Sequence, residues 1–494
     1  MNRWRTVLGN ERGVALVLAL MILLTLTGLV LAFLSASAFE PQISRNLSET
    51  ARARYLAEAG LEVGYNALIA TSDANSSWTG LLASATTSSP WVILSTPTTP
   101  GPSVALNAVS LPGLDSASGI YTVSVRNDYQ ASDSAITGVA LGTETVTTDA
   151  NRIVIMRATG TYNNATKTLE VVVKRLALPP TPGAVNIPGT QADTYVNTQQ
   201  FEIDGRDYGC SSNCSVDASW SVDASNPAKY ALSTNTGTQS NVGVTYEARV
   251  ESAFGTSGSC DANCSTNKKD SVRGKDQTNP TGTTTGLNTI AADSALTPSK
   301  MATFLAQLAT YPGTQIFQST KACPMKLNGS GSQPNRPTLV NNNGGTGGAS
   351  CTMNQTLDLG DRDNPKLVYF RGELDSSSSF TGLQVGTNAS DPSIRGAGIL
   401  VVEDGDFKQM TNFKWDGLVI VTGRYVGAGF MTSSTTTIRG AFLANETMAG
   451  EANGYFEFYL NALANKFTVR SSKQNLDMVQ QMRGLHSMSS WREI

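Results

Sequence analysis

A chain of 494 residues is too long for one ordinary domain, and its formal net charge of −3 offers no basic surface for a nucleic-acid partner. Charged residues make up only 15 %, while Ser, Thr, Asn, Gly and Ala abound, a mix suited to a β-rich extracellular surface and not to a charge-dense disordered tail. The single histidine, His486, excludes His-based metal clusters and supports no Ser-His-Asp or Cys-His arrangement.

Arg3, Arg5 and Arg12 precede an uncharged run from Val14 to Phe39. At about 1.5 Å per residue, that run is long enough to cross a bilayer. The positive-inside rule puts Met1 in the cytoplasm and the body outside. Two processing routes compete. Ala36-Ser37-Ala38 has the small-x-small form of a signal-peptidase site, and a cut there frees the body. A cut between Gly13 and Val14 keeps the helix. The second route is favoured, because the run is longer than an ordinary signal core and the helical pattern continues past it. Ile43, Leu47, Ala51, Tyr55, Ala59 and Val63 recur four apart and predict one apolar helix face. Arg45 with Glu49, and Arg54 with Glu58, form i,i+4 pairs on the polar side. Pro41 is expected to kink the helix.

The run Arg12-Gly13-Val14-Ala15-Leu16-Val17-Leu18-Ala19-Leu20, followed by Ala57-Glu58-Ala59-Gly60-Leu61-Glu62, resembles the N-terminal region of PilX-type minor pilins. These belong to the type IV pilin and type II secretion pseudopilin superfamily. The resemblance covers this N-terminal part of the chain, and the C-terminal β-rich module looks like one that often follows a PilX-type start in large bacterial proteins. It implies cleavage after Gly13 by a prepilin peptidase, N-methylation of Val14, and assembly through the helix with other pilin or pseudopilin subunits. One position departs from the pattern. Most major pilins carry Glu four residues after the cut, where this chain has Leu18. In the family that Glu pairs with the free amine of a neighbouring subunit, and a buried amine without a partner is costly. Resemblance to the K-type pseudopilin, which also lacks the Glu, points the same way. The expectation is a minor, initiating or tip-located subunit, with a simple single-span anchor as the plain alternative.

Ser72 to Gly119 reads as loops with short strands. Tyr121, Val123 and Val125 alternate with polar neighbours as a half-buried strand. Arg152–Thr161 and Thr166–Arg175 form a hairpin about Asn163-Asn164. With the helix, these strands make the helix-on-antiparallel-sheet head expected of a pilin. Pro179-Pro180-Thr181-Pro182-Gly183 marks a linker or sharp boundary. A helix starts at Thr297 as N-cap with Pro298 at its first position, turning Met301, Leu305 and Leu308 inward. Asn341-Asn342-Asn343-Gly344-Gly345 reads as a loop. Apolar runs then recur at Leu367–Phe370, Ile399–Val402, Leu418–Val421 and Ala441–Leu443, the later ones just after Gly398, Gly417 and Gly440. That rhythm predicts β-helix-like stacking, closed by a helix from about Gln474 to Met488. The fold class expected is therefore α+β, a long pilin-like helix with antiparallel sheet and then a mostly-β module. The divisions are a leader 1–13, a helix 14–71 with membrane part 14–39, a head 72–178, a Cys-containing insert 189–351 and a repetitive module 352–494.

All six cysteines lie between Cys210 and Cys351. In an exported region, three disulfides are the favoured reading. Cys210-Ser-Ser-Asn-Cys214 and Cys260-Asp-Ala-Asn-Cys264 leave zinc as the alternative, since four thiolates suit a tetrahedral site. Under the disulfide reading Cys323 and Cys351 pair, and the connectivity of the first four stays open. Asp358, Asp361 and Asp363 around Gly360 could ligate calcium, but no distal Glu completes a known loop, and a solvated acidic turn is favoured. Glu403, Asp404 and Asp406 form a turn between strands. Phe413, Trp415 and Phe430 are read as core, and His486 as a surface or helix-end residue. No phosphate loop or dinucleotide fingerprint is present, so no cofactor is expected. The function expected is a minor pilin-like subunit acting in pilus assembly and displaying its β-rich module for adhesion to a surface ligand, without catalysis. A type II minor pseudopilin is the nearest rival. A membrane-anchored carbohydrate-active enzyme is the more distant one, and it needs paired carboxylates facing one groove.

Overall fold

The computed structural model describes residues 11–72, 77–97, 102–189, 193–197, 200–239, 243–255, 271–276, 289–341, 354–373, 381–423, 428–431, 434–446, 457–461 and 467–494. The first element, α1, runs unbroken from Glu11 to Ala70 with Pro41 inside it. Its first two-thirds stands free of the rest of the chain. From Ala53 onward it lies on an antiparallel sheet of strands Val92–Ile93, Ile120–Asn127, Ile153–Tyr162, Ala165–Arg175 and His486–Glu493, in that spatial order. Tyr162 pairs with Ala165 across a tight turn, and Asn163 takes the left-handed conformation that Asn tolerates.

The helix face that meets the sheet is Ala53, Leu56, Ala57, Gly60, Leu61, Gly64, Tyr65 and Leu68. This differs from the predicted stripe. Ile43, Leu47 and Tyr55 are 65 %, 69 % and 68 % exposed. A step of four residues overshoots a full turn by about 40°, so a string of such steps winds around the helix and cannot stay on one face. Small residues set the contact instead. A Cβ on Gly160 would lie 2.5 Å from the Ala57 nitrogen and 2.9 Å from the Leu56 Cβ. One on Gly60 would lie 3.0 Å from the Tyr121 ring.

Most of the remaining described residues form a parallel β-helix of two facing sheets. Strands alternate between them: Lys366–Arg371, Thr381–Val385, Ile394–Glu403, Asp406–Gln409, Phe413–Gly423, Ala428–Met431, Thr436–Glu446, Glu457–Asn461 and Phe467–Ser471. Each stacks parallel on the strand one coil earlier. In-register rows such as Leu400–Val419–Phe442 and Val402–Val421–Ala444 point between the sheets. Phe407, Phe413, Trp415, Phe430 and Phe467 fill the same interior, and the Phe430 and Phe467 ring centres are 4.4 Å apart. The alternate rows Ile399–Leu418–Ala441 and Val401–Ile420–Leu443 point outward. There they lie under helix Pro298–Thr310, through Met301, Leu305 and Leu308, and under helix Lys473–Gln480, through Leu476 and Val479. Burial on both faces explains why these strands read as continuous apolar runs. The Thr297 hydroxyl accepts from the Lys300 N–H, capping the first of these helices.

Gly398, Gly417 and Gly440 stand in one row across three coils at φ of 116°, 134° and 140°. At each, a Cβ would run into the carbonyl of the coil below. Glycine is there because this row turns the strand without a side chain.

Two divisions differ from the expected ones. The stretch 189–351 is not an insert. Gly183–Ile187, Asp193–Asn197 and Phe201–Asp204 stack beyond the last coil, on Phe442–Leu443, Glu457–Asn461 and Phe467–Arg470. Ile316–Gln318 and Met325–Asn328 stack before the first, on Tyr369–Arg371 and Leu383–Val385. Neither part has a complete hydrophobic interior of its own, and each finds one by extending the stack. The helix near the C-terminus ends at Gln480, lies across a sheet face and gives way to strand His486–Glu493. The module therefore does not extend to residue 494, because its last strand belongs to the head. The proline-rich segment lies at the boundary between the head strand Ala165–Arg175 and the β-helix strand Gly183–Ile187, and bonds just before it fix the connection. Leu176 N–H donates to the Leu485 carbonyl, and the Gln480 amide bonds both Leu178 N–H and the Leu176 carbonyl.

Candidate functional site

The feature that most sets this chain apart is α1, the one helix among the described residues that is long and apolar enough to cross a membrane. Gly13 and Val14 sit in its first turns, and Val14 and Leu18 are 67 % and 56 % exposed. Arg3 and Arg5 lie outside the described residues. Thr25 and Thr27 return their hydroxyls to carbonyls of the preceding turn, which satisfies both within the apolar segment. Arg45 and Arg54 pair with Glu49 and Glu58 at 2.9 and 3.0 Å, just beyond it.

The far end of α1 is fastened to the β-helix by a junction that sequence patterning did not reveal. Arg483 pairs with Glu62 at 2.8 Å and stands 5.0 Å over the Tyr65 ring. The Gln481 amide donates to the Ser72 carbonyl at 3.0 Å. His486 is only 4 % exposed, which corrects its reading as a surface residue. Its Nδ1 faces the Met482 carbonyl and must donate to it, so Nε2 accepts from the Ser72 hydroxyl, both at 3.1 Å. Edge strand and helix end converge on this ring, and no local pattern announces that convergence. The only sequence signal was the rarity of histidine.

Burial holds the His486 pKa down at about 4 against an ordinary 6.5, with Arg175 adding to the effect and the Met482 bond opposing it. An unfolded chain takes up a proton below 6.5 that the folded chain refuses. Stability from His486 is thus full above 6.5 and falls as pH drops toward about 4, by roughly 3 kcal/mol in total. The expected result is that wild type loses this much relative to His486→Gln between pH 7 and pH 4 in urea titrations. A difference that stays constant with pH would refute the assignment.

The remaining predicted positions are scattered. Cys210 and Cys214 form a disulfide with Cα atoms 5.7 Å apart, so zinc is replaced by a covalent clasp at that pair. Cys323 is also disulfide-bonded. Cys260, Cys264 and Cys351 lie outside the described residues. Asp361 accepts from the Asp363 and Asn364 N–H groups, and Asp358 from the Gly360 N–H. Among the described residues no three His, Cys, Asp or Glu converge as a metal cage. Glu403 receives the Tyr369 hydroxyl and the Arg371 guanidinium at the strand end. On the outer face of the β-helix, Asp416 and Asp217 both lie against the buried Arg439, at 3.4 and 2.6 Å.

Helix, head and stack together define an α+β protein in which one long, exposed, apolar N-terminal helix carries a small antiparallel sheet and a large parallel β-helix. No protein-family model and no curated protein matches the chain. Among solved structures it is similar to the competence-associated pilin ComZ from Thermus thermophilus. The match covers 90 % of this chain and 97 % of that one, at 11 % identity and a TM-score of 0.23, a score too low to carry an argument about fold or function.

Proposed function

We propose that this protein is a minor, type IV pilin-like subunit that holds a β-helix outside the inner membrane and enters a filament through α1. The observation that carries the reading is the continuity of α1. One helix is wholly exposed and apolar at its start and is packed on an antiparallel sheet at its end. A cleaved secretion signal has no need of such continuity. Prepilin peptidase cuts after Gly13, Val14 is methylated, and other pilin subunits surround the helix. Leu18 offers no carboxylate to a neighbour's amine, so the subunit starts or tops the filament, and the β-helix works in adhesion. The same feature suits a K-like pseudopilin of a type II secretion system, the nearest rival. The role is assembly and contact rather than catalysis.

The test is the mass of the mature N-terminus. The expected chain begins at methylated Val14, and Gly13→Glu leaves it uncut. A chain beginning at Phe39, or retaining Met1 in the wild type, rules the reading out.

A further inference from the structure

On the outer face of the β-helix lies a cavity of about 370 Å³. Its floor is Ala397, the one small residue in the in-register row Ala397–Asp416–Arg439–Arg470. A row of long charged side chains has a gap there. One wall is the loop at Cys214 and Ser215. It is held by the Cys210–Cys214 disulfide, by the Arg439 guanidinium on the Cys214 carbonyl at 3.0 Å, and by Lys414 on the Ser215 carbonyl at 2.9 Å. The opposite wall is the turn carrying Arg362, which Asp361 closes through two backbone N–H groups.

Two arginines line this cavity without a salt bridge among the described residues. Arg362 is half-buried, bonds the Asn475 amide oxygen and stands 4.7 Å over the Trp220 ring, whose nearby second cation is Arg439 at 4.4 Å. Arg395 also lines the cavity and is half-buried, and its side chain has neither an ion pair nor a hydrogen bond among the described residues. A half-buried guanidinium with an empty fork presents a planar, two-pronged donor to an oxyanion. Asp363, at the rim, adds an exposed acceptor. Its charge, with those of Asp361 and Asp416, opposes a doubly charged phosphate more than a singly charged carboxylate. Donor forks for a carboxylate beside acceptors for hydroxyl groups match the chemistry of an acidic sugar.

We propose that this cavity binds a carboxylate-bearing sugar residue, with Arg395 gripping the carboxylate. The inference deepens the display role proposed above and rests on the β-helix lying outside the membrane. Sugar binding and N-terminal mass are separate readouts, so either can fail alone. The test is calorimetric titration of the full chain in detergent with glucuronate, glucose and inorganic phosphate. Glucuronate is expected to bind saturably, with glucose and phosphate at least about tenfold weaker. Arg395→Gln, which removes the fork, and Ala397→Met, which fills the floor without altering charge, each weaken glucuronate at least about tenfold. Far-UV circular dichroism checks that both remain folded. No glucuronate binding to the wild type overturns the proposal. So does phosphate or glucose binding as tightly as glucuronate, or wild-type affinity in Ala397→Met.

Discussion

Gly417→Ala destabilises the β-helix by roughly 4 kcal/mol. Gly417 sits at φ 134° between Gly398 and Gly440, which share its positive φ and its register. Its new Cβ would press into the Gly398 carbonyl and lie 2.8 Å from Val479 Cγ2 on the covering helix. Backbone strain at such a φ costs about 1–3 kcal/mol. Forced overpacking adds about as much again. The coil cannot relax alone, because shifting it moves the rows above and below. The loss of roughly 4 kcal/mol is a large share of the stability of an ordinary domain. The measurement is thermal unfolding of the full chain, followed by circular dichroism, with Gly484→Ala as control. A Cβ at Gly484 meets nothing within 4 Å, and the control should change stability by under about 0.5 kcal/mol. A Gly417→Ala protein that melts with the control would show that the row tolerates side chains.

What the sequence made legible was whatever one segment states by itself. Asn163-Asn164 between two strand-like runs gave the hairpin. Thr297-Pro298 gave a capped helix, and the glycines ahead of each apolar run gave the coils. What stayed hidden depends on segments far apart. The strand His486–Glu493 has only weak alternation, since its outer half is exposed, and its partner is residues 169–175. No local period specifies that pairing, so a helix was extended through it. The true packing face of α1 was missed for a related reason. It is marked by Gly60 and Gly64, whose value lies in what the sheet brings near them. Arg395 looks like any surface arginine in the sequence, and its empty fork is visible only once its neighbours are placed. The cysteines fall between these cases. Their even number indicated disulfides, while the Cys210–Cys214 partnership needed coordinates.

Ending the chain at Leu485 melts the head and spares the β-helix. Removing His486–Ile494 strips the edge strand from Ala165–Arg175 and takes away the ring that accepts from Ser72. It also removes Arg492, which together with Arg157 neutralises Glu170, a carboxylate only 1 % exposed. Lost strand hydrogen bonds, an uncovered apolar face at Met488 and a less well paired buried charge together cost at least about 4 kcal/mol. The point substitution Arg492→Gln should cost about 1 kcal/mol or less, because the arginine side chain is 43 % exposed and Arg157 remains on Glu170. Amide hydrogen exchange separates the two regions. In the truncated chain, strands Ile153–Tyr162 and Ala165–Arg175 lose protection, while Ile394–Glu403 and Phe413–Gly423 keep it. Protection retained in the head would mean that α1 alone stabilises the four remaining strands. The last strand would then serve only to tether the β-helix. Protection lost in both regions would mean that head and stack fold as one cooperative unit, which their shared bonds at Leu176, Leu178 and Gln480 make the strongest competing outcome.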